Sequence, residues 1–236
     1  MAKAPAKRAI VLGASGGIGA AVVARLRQFG GYEVLTGSRS GSADFLFDLT
    51  DESSIARAAE QVGNSEPVDL VFIATGLLHR DDGMNPEKSW RAVNAAYMSE
   101  IFAVNAIGPA LVAKHFLPLL KRDRRAVLAA LSARVGSIDD NRLGGWHSYR
   151  ASKAALNMLM KTFAIELSRR NPHSIIASLH PGTVDTGLSR PFQRSVGAAG
   201  LFAPEECADA LLKVIDSLKP EDSGGLFGWD GARIPF

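Results

Sequence analysis

Tyr149 and Lys153 stand four residues apart in the stretch WHSYRASK, residues 146–153. On a helix, positions i and i+4 share one face with Cβ atoms about 5–6 Å apart, so a phenol and an ammonium placed this way act as a pair. A free phenol ionises near pH 10 and moves protons poorly at neutral pH, but a neighbouring ammonium favours the phenolate and lowers that value. A tyrosine tuned in this way gives a proton to a carbonyl oxygen, or takes one from an alcohol in the reverse direction. Taken alone, the pair also fits an exposed helix contact worth about 0.5 kcal/mol.

A second group of residues suits an anion. GASGGIG supplies Gly13, Gly17 and Gly19, with Ser15 and Ile18 between them, directly after the apolar run RAIVL and at the start of a helical pattern. Missing side chains let a pyrophosphate approach the backbone, and the helix start offers unpaired N–H groups and a positive dipole end. Further on, LTGSRS ends the second strand with Arg39 and without the carboxylate that would take the ribose hydroxyls of NAD. A guanidinium fork there suits a 2′-phosphate, which points to NADP rather than NAD. The alternative is a loop arginine paired with Asp44.

The elements that must hold these groups alternate along the chain. RAIVLG, YEVLTGS, DFLFDL, VDLVFIATG, AVLAALSA and SIIASLHPG are expected strands, with helices at about 17–29, 52–62, 98–120, 148–170 and 204–218. Alternation of this kind implies right-handed βαβ units and a parallel sheet, and strands apolar on both faces need helices on both sides. The expected fold is a doubly wound, Rossmann-like α/β/α sandwich, with residues 1–236 as one domain. Ligands of such folds bind beyond the carboxyl ends of the strands, where the glycine turn, IATG, LSA and HPGTVDT all fall.

Composition narrows the partners. The net charge of +3 is spread over interleaved acids and bases, which argues against nucleic acid. The basic run KRDRR at 121–125 fits the end of a helix. No uninterrupted apolar stretch reaches the length of a membrane span. The single cysteine, Cys207, lies on an apolar helix stripe with Leu211, Val214 and Leu218, so a core thiol and a cytoplasmic location are expected.

YRASKAALN closely resembles the active-site segment of the short-chain dehydrogenase/reductase family, and the GxxxGxG spacing is similar to that family's glycine motif, with Leu12 where many members carry threonine. The resemblance runs from about residue 8 to the C-terminus. It implies that Tyr149 is the acid/base, that Lys153 lowers its pKa and binds the nicotinamide ribose, and that Asn105 in FAVNAIGPAL holds a water in the proton relay. Ala74, Thr75 and Gly76 of IATG then pack on the cofactor, and Asp48 and Leu49 of FDLT meet the adenine, although Asp48 also suits a cap for the helix near Asp51. Pro181, Gly182, Val184 and Thr186 of HPGTVDT lie near the carboxamide on the same grounds. The implied substrate is a small carbonyl compound or alcohol, and the implied assembly a homodimer or homotetramer.

One block departs from the family. LSARVGS puts Ser132 in the first position and Ala133 in the slot of the substrate-orienting serine. Neighbouring strand residues face opposite ways, so Ser132 fills that role only if the chain bends locally; Ser137 is the other candidate, or else a loop serine bonding its own backbone. The long loop before Tyr149 and the ending SGGLFGWDGARIPF resemble a subgroup similar to C-factor and the sniffer-type carbonyl reductases. C-factor relatives are linked to cell-to-cell signalling, so a regulatory protein with weak or incidental catalysis is the alternative function. His147 borders the tyrosine's helix face or simply packs. In GLSRPFQRSVGAAGLF, Phe192, Leu201 and Phe202 suggest an apolar wall, and Arg190 and Arg194 would accept an anionic substrate; plain packing is the alternative.

Overall fold

A computed structural model describes residues 7–39, 43–195 and 200–236. Its centre is an eight-stranded sheet in the order β10-β9-β6-β5-β4-β1-β2-β3. The strands are β1 (Lys7–Leu12), β2 (Tyr32–Ser38), β3 (Phe45–Leu46), β4 (Leu70–Ile73), β5 (Ala126–Leu131) and β6 (Ser174–His180). β7 (Thr183–Val184) and β8 (Leu201–Phe202) form a separate parallel pair, and β9 (Gly225–Gly228) and β10 (Arg233–Ile234) close the large sheet. Among the described strands only β10 runs antiparallel to its neighbour. β4 and β5 are buried throughout, which explains their continuous apolar sequences.

Helices cover both faces. α1 (Gly17–Phe29) and α6 (Pro204–Ser217) lie on one side, over a core that includes Val22, Phe72, Ala177 and Leu211. α2 (Glu52–Gly63), α3 (Ala95–Phe102), α4 (Gly108–Phe116) and α5 (His147–Ser168) lie on the other, over Ile10, Ile55, Val71, Phe116, Leu156 and Met160. The doubly wound sandwich expected from the alternating pattern is the observed fold.

Differences lie where local pattern is weak. The helix expected at 98–120 begins at Ala95, because Asn94 Oδ1 accepts from Tyr97 N at 3.0 Å, and a π-helical turn at Ala103–Ile107 divides it. By length and composition the run Ala95–Leu119 could cross a membrane, but it packs Ile101, Val112, Ala113 and Phe116 into the core. DFLFDL yields a strand of only two residues. β9 and β10 were not among the expected strands, since GLFG is bracketed by glycines and lacks β-branched residues. α5 starts at His147 after Gly144, Gly145 and Trp146, three successive residues at φ +63°, +67° and +52°. Trp146 is the only non-glycine with positive φ among the described residues.

Candidate active site

The turn between β1 and α1 is held in shape by its glycines. Gly13 sits at φ +86°, and a Cβ on Gly19 would lie 2.3 Å from the Gly13 carbonyl oxygen. A Cβ on Gly17 would lie 2.7 Å from the Thr186 methyl, so this position brings the turn against the segment after β7. α1 has no side-chain cap and no acid in its first turn, which leaves its N-terminal N–H groups for an anion.

Two adjoining cavities, of about 640 and 410 Å³, share Ser15, Gly16, Ala74, Thr75 and Gly76 as walls. The larger ends at Arg39, Asp48 and Leu49; the smaller continues past Ile18 and Gly17 to Ser132, Tyr149, Lys153, Pro181 and Thr186. The structure thus brings together most of the expected cofactor residues. Gly19, Gly182 and Val184 stand behind the walls instead: Gly19 packs on Gly13 and Ala74, Gly182 turns at φ +75° beneath Phe202 and Trp229, and Val184 is in the core.

The residues present fit an extended dinucleotide. The Thr75 hydroxyl is buried without a hydrogen-bond partner, a cost of about 1–3 kcal/mol unless a ligand satisfies it. Arg39 is exposed at the cavity's end and makes no hydrogen bond or ion pair among the described residues. The alternative pairing with Asp44 is not formed: Asp44 Oδ2 accepts from Thr36 N at 2.8 Å and Thr36 Oγ1 at 2.7 Å, and faces Arg27 at 4.0 Å. Asp48 does not cap α2, whose N-cap is Asp51; its Oδ1 accepts from Thr50 N and Oγ1 at 2.9 and 2.8 Å.

Tyr149 and Lys153 lie on one face of α5, with Lys153 Nζ 5.8 Å from the phenol ring centre. Both are buried, Tyr149 at 7% and Lys153 at 2% exposure. Lys153 Nζ donates to the Leu131 carbonyl at 2.8 Å. Burial, which penalises the ammonium, brings the Lys153 pKa down to about 7. The sequence led us to expect that the lysine lowers the phenol's pKa; without ligand the phenol is instead pushed well up by burial. The same desolvation makes the neighbouring ammonium easier to deprotonate, so it does not hold the phenol's pKa down. At neutral pH Tyr149 is therefore a protonated donor.

Asn105 is fully buried in the π-helical turn. Its Oδ1 accepts from Leu77 N and its Nδ2 donates to Leu77 O, both at 2.8 Å, while Nδ2 also donates to Ser152 Oγ at 3.1 Å. Asn105 thereby ties the chain after β4 to the helix carrying Tyr149. Ser132 borders the smaller cavity, but its hydroxyl donates to Asn157 Oδ1 at 2.7 Å. Ala133 belongs to one buried apolar cluster with Tyr149 and Leu78, so a methyl stands where the family's serine is expected. Ser137 Oγ accepts from Asp140 N at 3.0 Å, a loop-closing bond, and borders neither cavity.

A chain of aromatic rings adjoins the phenol. Trp146 meets Tyr149 edge-on at 6.2 Å between centroids and Phe192 at 5.0 Å, and His79 meets Phe192 at 5.6 Å. Leu188 and Val135 complete this apolar wall. Of the residues expected there, Phe192 is in place, whereas Leu201 pairs with Thr183 and Phe202 stacks on Trp229 at 4.6 Å. Arg190 is exposed; the side chain of Arg194 and residues 196–199 lie outside the described residues. His147 Nδ1 is buried without a partner. Sequence reasoning misses Trp146, Asn157 and Trp229: Asn157 and Trp229 meet Ser132 and Phe202 from distant segments, and Trp146 is set beside Tyr149 by a backbone turn; for the two tryptophans the aromatic content of GGWHSY and FGWDG is the available signal.

The sequence model of the short chain dehydrogenase family matches residues 7–196. An uncharacterized oxidoreductase of Schizosaccharomyces pombe is 32% identical over 202 residues, covering 80% of this chain and 76% of the relative. The C-signal protein of Myxococcus xanthus is 37% identical over 144 residues, 61% of this chain and 81% of the relative. Among solved structures, the NADPH-bound carbonyl reductase from chicken fatty liver superposes with a TM-score of 0.84 at 25% identity, over 98% of this chain and 99% of that one. With the glycine turn opening onto the Tyr149–Lys153 face of α5, these matches establish the chain as a member of the short chain dehydrogenase family, an NAD(P)-dependent oxidoreductase of small molecules.

Proposed function

We propose that this protein is an NADP-preferring carbonyl reductase in which Tyr149 supplies the proton. The observation that carries the proposal is a continuous line of cavity walls from Arg39 at one end to the protonated Tyr149 phenol at the other. When bound, reduced nicotinamide supplies the hydride. Tyr149 gives its phenolic proton to the carbonyl oxygen as that hydride reaches the carbon, so ketone, hydride and proton sum to an alcohol; the phenolate then recovers a proton from solvent. Lys153, near neutrality when the protein is empty, lies beside the phenol to stabilise the phenolate. Asn105 holds the chain that borders the cavity, through Leu77. Trp146, Phe192 and Leu188 exclude water from the reacting carbonyl and favour an apolar substrate. Arg39 takes the 2′-phosphate, and the NADPH carried by the chicken enzyme supports that preference.

Initial rates with NADPH across aldehydes, ketones and quinones test the activity. Turnover that falls sharply with NADH supports the reading; no NADPH oxidation with any of these compounds opposes it.

A second reading rests on Ala133 in the apolar cluster of the phenol and on the likeness to C-signal: a nucleotide-binding signalling protein with slow catalysis. Fast turnover abolished by Tyr149→Phe would remove its support. For either reading we propose a homo-oligomer, supported by exposed Met158 and Ile165 on α5 and exposed Ile107 in the π-helical turn, with sedimentation as the check. We also propose a cytoplasmic location, supported by the single, buried thiol of Cys207 and checked by cell fractionation.

A further inference from the structure

α5 carries Tyr149 and Lys153 but has no side-chain cap of its own, no acidic residue in its first turn, and a left-handed Trp146 at its N-cap. A left-handed non-glycine costs about 1–2 kcal/mol and persists only where its surroundings impose it. Here the partner is Glu87, distant in sequence, on the loop between β4 and α3. The Glu87 carbonyl accepts from Trp146 N at 2.6 Å. The Glu87 carboxylate accepts from Ser148 N at 3.3 and 3.2 Å through its two oxygens, and Ser148 Oγ donates to Oε1. Glu87 is 3% exposed and Ser148 fully buried, and among the described residues Glu87 makes no ion pair. Its charge is thus balanced by the N–H groups and positive pole of α5 itself.

We propose that Glu87 is a positioning residue for Tyr149, which is the next residue after Ser148. Its carboxylate fastens the first turn of α5, and its carbonyl fixes Trp146, whose indole meets the phenol ring. The same loop includes Leu77, clamped by Asn105, and Leu78, whose carbonyl accepts from the Tyr97 hydroxyl at 2.8 Å. The loop that borders the cofactor cavity and the helix that carries the proton donor are therefore latched into one unit. A carboxylate in this place is an acceptor for hydrogen bonds, so glutamine, which keeps one such oxygen, preserves much of the latch.

The inference rests on Tyr149 as proton donor for its kinetic consequence, but the latch has its own readout. Hydrogen exchange of ligand-free protein is followed in peptides covering 144–153, together with NADPH affinity and nitrobenzaldehyde reduction, in wild type, Glu87→Ala, Glu87→Gln and Tyr149→Phe. Glu87→Ala should exchange at least tenfold faster in that segment and lose about tenfold in kcat while binding NADPH within about twofold of wild type. Glu87→Gln should recover both to within about threefold. Unchanged exchange in Glu87→Ala, or a glutamine variant as impaired as the alanine one, overturns the latch. If Glu87→Ala does not fold, Ser148→Ala decides: it should lose several-fold in protection and kcat, and wild-type values for both overturn the proposal. Faster exchange restored by glutamine in a protein whose wild type reduces nothing would uphold the latch and defeat the carbonyl-reductase reading instead.

Discussion

At the level of single side chains, burial governs the chemistry. Lys153 titrates near 7 in the folded protein and near 10.4 when unfolded, so between those values the unfolded chain binds more protons and stability rises with pH. Below pH 7 both states are protonated and the slope vanishes. Tyr149 works oppositely above pH 10, where the unfolded phenol ionises first and stability falls. Thermal melts of ligand-free protein from pH 7 to 10 should show a gain on the order of a few kcal/mol that Lys153→Met lacks; parallel curves for the two would refute the depressed lysine. Ala133 leaves one fewer donor for a developing oxyanion, a loss of about 3 kcal/mol in other oxyanion sites. Ala133→Ser should raise kcat at least several-fold, whereas Ser132→Ala, which removes a bond to Asn157, should mainly lower the melting temperature.

Among the elements, the β1–α1 turn and α5 bear the site. Gly17→Ala would drive a methyl into Thr186, and calorimetry should show NADPH binding weakened at least tenfold with the fold intact. The turn and the Tyr149–Lys153 face were legible in sequence because their determinants are local: glycines at a strand–helix junction, and a spacing of four on a helix. The support was not. Glu87, Asn157 and the π-helical turn around Asn105 act through partners tens of residues away, and nothing in PEKSW marks a carboxylate destined for another helix's N-terminus. β9 and β10 escaped notice because their pairing with β6 and with each other, rather than intrinsic strand preference, makes them strands. Without ligand the phenol's pKa rises where the sequence predicts a fall, because spacing shows the neighbouring charge but not the depth of burial.

Over the whole molecule, the sheet brings its carboxyl-end turns to one edge, where two adjoining cavities run from Arg39 to Tyr149. The two ends make separable demands. Removing the guanidinium with Arg39→Ala should weaken NADPH binding by about 10- to 100-fold and leave NADH binding nearly unchanged, measured by calorimetric titration. Equal losses for both nucleotides would mean that Arg39 serves the fold instead. The other end is tested most directly by stopped-flow hydride transfer from NADPH to nitrobenzaldehyde in wild type and Tyr149→Phe. Proton donation by Tyr149 predicts unchanged NADPH affinity with transfer slowed about 100-fold or more; transfer at the wild-type rate in the phenylalanine variant would contradict it.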